Sequence, residues 1–173
     1  MRIVLLLALA GCATQEMSDW ERANIDARPV EEHLVLPPYP QPGRLLPFGV
    51  ADSGGFRFFV DGATLSVGKD RIVRYVLVAR SPDGAQNVTY EGIRCSSGEY
   101  RIYALGRADG TWSEARGGWR AVAGAPARQV ALFREYFCPQ AEPIRTAAEG
   151  VRALEQGGHP FSKGFGGTFG AGR

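Results

Sequence analysis

Between Arg71 and Trp112 the chain reads RIVRYVLVARSPDGAQNVTYEGIRCSSGEYRIYALGRADGTW, and this stretch constrains the fold more than any other. Three runs rich in β-branched and aromatic residues, 72–79, 87–95 and 99–105, are separated by Pro82-Asp83-Gly84 and Ser96-Ser97-Gly98, and Asp109-Gly110 follows the last. Such runs fit a pleated, half-buried surface, and the separators are turn formers, so an antiparallel meander is predicted. Side chains alternate along a strand. Val73, Tyr75, Leu77 and Ala79 therefore share one face of the first run, and Arg74, Val76, Val78 and Arg80 share the other. The second run opposes Thr89, Glu91, Ile93 and Cys95 to Val88, Tyr90, Gly92 and Arg94. The third opposes Tyr100, Ile102 and Ala104 to Arg101, Tyr103 and Leu105. Neither face is cleanly polar, so both are expected to be partly covered.

The flanks supply the cover. Residues 56–68 read as a hairpin turning at Asp61-Gly62. Trp112 and Trp119 are expected to close one end of the core. Residues 127–137 have helical spacing, with Val130, Phe133 and Phe137 on one stripe and prolines at 126 and 139. Residues 144–156 repeat the plan: Ile144, Ala147, Ala148, Val151 and Leu154 form the stripe, and Gly157-Gly158 ends it. The predicted fold is α+β: an antiparallel sheet of five or six strands with two C-terminal helices, in one domain over 51–157. The glycine- and phenylalanine-rich residues 158–173 are expected to form a disordered tail.

The N-terminus reads as an address. Met1-Arg2 is a minimal positive region, and the apolar run 3–10 spans only about 12 Å as a helix, too short to cross a bilayer. Residues 1–11 are thus expected to be a signal peptide. The boundary Leu9-Ala10-Gly11-Cys12 resembles the bacterial lipoprotein signal, which implies lipidation of Cys12, a membrane partner through the lipid, and a place on the periplasmic face of the envelope. Ala13 after the cysteine, where an inner-membrane protein would carry aspartate, leans that reading toward the outer membrane. Residues 12–50 then form an acidic, later proline-rich tether. Five prolines between 37 and 47 argue against an interior helix or strand there, while Leu45, Leu46 and Phe48 ask for burial along the chain's own domain.

Charge and composition narrow the chemistry. A formal net charge of +2 gives no sign of nucleic-acid binding. Only two histidines occur, His33 in the acidic arm and His159 before Pro160, and neither reads as held for catalysis. No serine or cysteine nucleophile set, metal-ligand spacing or cofactor loop is apparent, so no cofactor is expected. In an oxidising periplasm the two body cysteines, Cys95 and Cys138, most simply pair, the alternative being two buried free thiols. Two functional readings remain. Arg74, Tyr90, Arg94, Arg101 and Tyr103 make a candidate binding surface for an envelope protein or polymer, since arginine and tyrosine are common at interfaces. Alternatively Glu91 and Glu99 serve as paired carboxylates of a hydrolase acting on envelope polymers, against which stands a plain cross-strand Glu/Arg ladder.

Four motifs carry a family resemblance: FFVDGATLSVGKD from Phe58, RYVLVARSPDGAQNVTYEGIRC from Arg74, GEYRIYALGRADGTW from Gly98 and EYFCP from Glu135. Over roughly residues 36–160 the chain resembles the cryptic neisserial protein family of bacterial envelope lipoproteins. The resemblance implies a lipoprotein signal, an envelope location and one domain, and it implies no reaction or ligand.

Overall fold

The computed structural model describes residues 30–162. The expected signal, Cys12 and the last eleven residues lie outside them. The predicted α+β architecture is present: an eight-stranded antiparallel sheet, two helices near the C-terminus and one disulfide.

The strands are β1 Leu45–Phe48, β2 Arg57–Asp61, β3 Ser66–Val67, β4 Ile72–Arg80, β5 Gln86–Arg94, β6 Glu99–Gly106, β7 Trp112–Glu114 and β8 Arg120–Ala121. The main order is β1-β2-β4-β5-β6-β7; β3 also pairs with β4, and β8 with β6. The meander is therefore β4 to β7. The expected hairpin over 56–68 does not form. β2 pairs Arg57–Val60 with Arg80–Leu77, and β3 pairs Ser66–Val67 with Arg74–Val73, so both run down the same edge of β4. The Asp61-Gly62 turn is a jog between the two pieces. Asp61 Oδ1 accepts from Ala63 N at 3.0 Å, and Thr64 Oγ1 accepts from Val76 N at 3.3 Å, filling the gap left in the ladder.

The proline-rich arm is also part of the sheet. β1 contains Pro47 and pairs only with β2, and an edge strand tolerates a proline because one side of it needs no donor. The tether reading of 12–50 thus fails for its last residues, while the burial asked for at Phe48 is met.

Face assignments hold along β4 and β5 and fail at one place in β6. A bulge at Tyr90/Glu91 pairs Tyr90 with Ala104 and Glu91 with Ile102. One extra residue in β6 reverses the side chains beyond it. Tyr103 and Ala104 both join the cluster with Val76, Val78 and Tyr90, and Leu105 moves to the face of Tyr100 and Ile102.

The helices cover the face of Tyr75, Leu77 and Ile93. The first begins as α1, Ala127–Ala131, and widens to a π turn over Leu132–Phe137. That widening brings Leu132 and Tyr136 inward beside Phe137 and leaves Val130 and Phe133 only partly buried. The second, α2 (Ala147–Glu155), starts three residues later than its apolar pattern, because Thr146 caps it by accepting from Glu149 N at 3.2 Å. Ala148 is exposed; Gly150 takes the inner place, where a Cβ would stand 2.6 Å from Ile144 and Leu65. The Cys95–Cys138 disulfide, Cα to Cα 5.4 Å, ties the end of the π turn to the end of β5. Residues 159–162, expected in the tail, are folded: His159 is buried and Pro160–Ser162 form a 3-10 turn.

Candidate functional site: a cleft on the helix face

The predicted Arg/Tyr residues do share one face, but they are not a free surface. Arg74 is buried and meets Asp70 through two contacts, Nη1 to Oδ1 at 3.0 Å and Nη2 to Oδ2 at 2.5 Å. Burial alone would raise the Asp70 pKa; Arg74 and the N–H groups of Glu32 and Ile72 outweigh it and hold the carboxyl below its usual range. Tyr90 and Tyr103 are buried, with rings 5.5 Å apart. Gly92 makes room for this, because a Cβ there would lie 2.8 Å from the Tyr103 ring. Burial first, then the neighbouring Glu31 carboxylate, raises the Tyr103 phenol. Arg94 lies 4.1 Å over the Trp119 ring and Arg101 5.2 Å over Tyr103, both half-buried.

The cover is the arm itself. Glu31 Oε2 accepts from Trp119 Nε1 at 3.2 Å and pairs with Arg101 Nη1 at 3.4 Å. Glu32 Oε1 accepts from Lys69 N at 3.0 Å, and its own N–H donates to Asp70 at 2.8 Å. Further along, Trp112 Nε1 donates to the Pro37 carbonyl at 2.8 Å and Tyr39 OH to the Arg107 carbonyl at 3.0 Å. The five residues named as a binding surface are thus the inner layer beneath a strap. Strand parity reveals a shared face; it cannot reveal that residues 31–40 fold back across it.

The two candidate carboxylates do not converge. Glu91 is fully buried on the opposite face, accepting from Thr89 Oγ1 at 2.7 Å, Tyr75 OH at 3.1 Å and Gln129 Nε2 at 3.2 Å. Burial raises its pKa, and these neutral donors together with the Arg128 charge only partly offset it. Glu99 opposes Arg94, three ladder positions from Glu91, and pairs with it at 3.4 Å. That is the cross-strand ladder. His159 is held after all. Its Nε2 meets Glu149 Oε1 at 3.0 Å, its Nδ1 accepts from Phe161 N at 3.3 Å, and both ring nitrogens are occupied. Burial works to raise the Glu149 pKa, but the Arg145 N–H and His159 prevail and lower it.

An open cleft of about 700 Å³ lies on the helix face, and the sequence reading did not find it. Its floor is Phe58, Leu77, Ala79, Thr89, Ile102 and Leu105; its walls are the 50–56 loop and the start of α1 at Ala127-Arg128. The geometry follows from lengths. Nine-residue strands run about 30 Å, and two short helices span about half of that. The disulfide pins the helices to the Cys95 end, so the other end of the sheet stays bare. Phe56, 37 % exposed, and Leu105, 47 % exposed, stand in this cleft. A smaller cavity of about 180 Å³, bounded by Tyr100, Gly117 and Arg120, adjoins it across Ile102 and Leu105. The one sequence signal was Leu105, apolar at the strand end, and the bulge hid its direction.

Fold and site together define an α+β domain with an open cleft on an apolar floor, a strapped second face and, among the described residues, no group of His, Cys, Asp and Glu set to hold a metal ion. The chain belongs to the CNP1-like family, whose model matches residues 25–155, a family of bacterial proteins of unassigned function. No curated protein and no solved structure matches it.

Proposed function

We propose that this domain is a non-catalytic binding module, held at the periplasmic face of the bacterial envelope, in the outer membrane, by lipid on Cys12, with its ligand in the cleft. The observation that carries the reading is where apolar surface is left open. Among the described residues between Leu45 and Glu155, Phe56 and Leu105 are the exposed large hydrophobics, and both line one concavity of a size usual for ligand sites. The location rests on the Leu9–Cys12 pattern. The alternative, a carboxylate-dependent hydrolase, has weaker support. Glu91 stands behind Thr89, outside the cleft lining, where Asp52 is the acid.

One experiment in intact cells tests both halves. A photo-crosslinking residue is placed at Leu105, with exposed Asp83 in the β4–β5 turn as the control. Adducts at 105 and none at 83 are expected; equal labelling sinks the cleft as a site. In the same cells Cys12→Ala is expected to move the chain out of the membrane fraction. A Cys12→Ala chain that is processed and pelleted like the parent overturns the anchor.

A further inference from the structure

We infer that the cleft takes an amphiphile with one long hydrocarbon chain and an anionic head, a fatty carboxylate. The inference rests on the cleft being the binding site and names what fills it. The first argument is hydrogen bonding. The strands beneath the cleft are internal: β4 pairs with β2 and β5, and β5 with β4 and β6. Their backbone groups are spent on one another, and the Thr89 hydroxyl is spent on Glu91. The other polar side chains of the lining, Asp52, Ser53, Asn87 and Arg128, are not on that floor, so a peptide or glycan laid across Leu77, Ala79, Ile102 and Leu105 would leave its own polar groups without partners there, at a cost of kilocalories per group. Hydrocarbon has no such groups. The second argument is shape. The cleft adjoins the smaller, largely apolar cavity across Ile102 and Leu105, which gives an elongated track with an apolar floor.

The third argument is charge. Arg128 stands on the α1 wall, half-buried, and makes no ion pair within 4 Å among the described residues. Its charge reaches the buried Glu91 carboxylate only from beyond ion-pair distance, so the guanidinium beside the apolar floor suits a carboxylate head and can hold it by two parallel hydrogen bonds. Asp52 lies on the opposite wall, exposed, so the head must settle on the Arg128 side.

The test uses the full chain carrying Cys12→Ala, purified without detergent, so that no acyl group of its own competes. A dansyl-labelled undecanoic acid is titrated in and displaced by palmitate or by hexadecanol. Palmitate is expected to displace the probe about tenfold more effectively than hexadecanol, the worth of one charge-assisted hydrogen-bonded contact. Arg128→Gln should abolish that preference, and Leu105→Glu should abolish probe binding with the melting temperature unchanged. No probe binding to the parent, equal displacement by acid and alcohol, or undiminished binding to Leu105→Glu each overturns the inference. The two readings fail separately. A protein or glycan adduct at position 105 in cells, with no palmitate binding, leaves the cleft as a site and removes the lipid; no adduct at 105 removes both.

Discussion

Two buried carboxylates, one on each face of the sheet, have been driven in opposite directions. Asp70, under the arm, meets the Arg74 guanidinium through two contacts and two backbone N–H groups, and its pKa is lowered. Glu91, under the helices, meets a tyrosine, a threonine and a glutamine, all neutral, and its pKa is raised. Burial pushes both upward; the Arg74 bonds and two backbone N–H groups reverse it at Asp70, whereas at Glu91 the neutral donors and the Arg128 charge, beyond ion-pair distance, do not. The same contrast runs through the two faces. The helix face, where it is covered, is closed by apolar packing and a covalent tie. The arm face is closed by an extended strap, which offers few apolar side chains per unit length and is anchored by glutamates, arginines and indole N–H groups. The first cover should answer to reductant, the second to acid and to charge.

Removing the tie gives the largest effect. Cys95→Ser with Cys138→Ser opens a loop of 43 residues, and the loop-entropy relation puts the loss at about 4 kcal/mol. Urea unfolding of parent and variant measures it. The comparison is broken if reduction also loosens the strap while the domain is folded. Trp112 and Trp119 both pack on the arm face, so their emission should hold steady until global unfolding.

Next comes Asp70→Ala, which leaves Arg74 buried without its partner at a cost of about 3 kcal/mol. Here the tryptophan emission should shift in the native state, because Glu32 loses its acceptor in the same step. In the parent, the Asp70 contribution is present above the unfolded carboxylate range and is lost as pH falls through the lowered folded value. Thermal melts between pH 6 and pH 3 should therefore fall more steeply for the parent than for the variant. Parallel slopes would sink the assignment.

The smallest effect is Glu91→Gln, and its sign is opposite. A raised folded pKa means the native state holds the proton more tightly than the unfolded chain does. Parental stability therefore declines as pH rises from the unfolded carboxylate range through the folded value. The substituted amide carries no charge, and it offers an N–H to the Gln129 Oε1 atom, buried without a partner. The variant should equal or exceed the parent at pH 7, by on the order of 1 kcal/mol, and lose that part of the slope. A variant destabilised at pH 7 would show that the ionised carboxylate is the form the site was built for.

Legibility followed the range of the physics involved. The alternation of Val73, Tyr75, Leu77 and Ala79 against Arg74, Val76 and Val78 is a local steric rule, and the clusters obey it. The β6 bulge defeated the same rule at Ala104 and Leu105, because an inserted residue depends on what the neighbouring strand presents. The candidate site fared worse. Leu105 was visible as an apolar strand residue, yet the cleft around it exists because two helices stop short on a long sheet, which no motif encodes.

By itself the sequence determined the meander, the α+β class and the two C-terminal helices, and it favoured the pairing of Cys95 with Cys138 over two free thiols, since turn chemistry and side-chain period act within a few residues and the body of the chain holds two cysteines. The tertiary structure decided the rest. It placed β2 and β3 in line along β4, brought Glu31 and Glu32 back over Arg101 and Asp70, buried His159 against Glu149, and left Phe56 and Leu105 open. Each of those outcomes joins residues distant in sequence, or leaves a surface bare, and depends on where other elements end. Contacts of that kind are chosen by the packing of the whole domain and are not written in any one stretch of the chain.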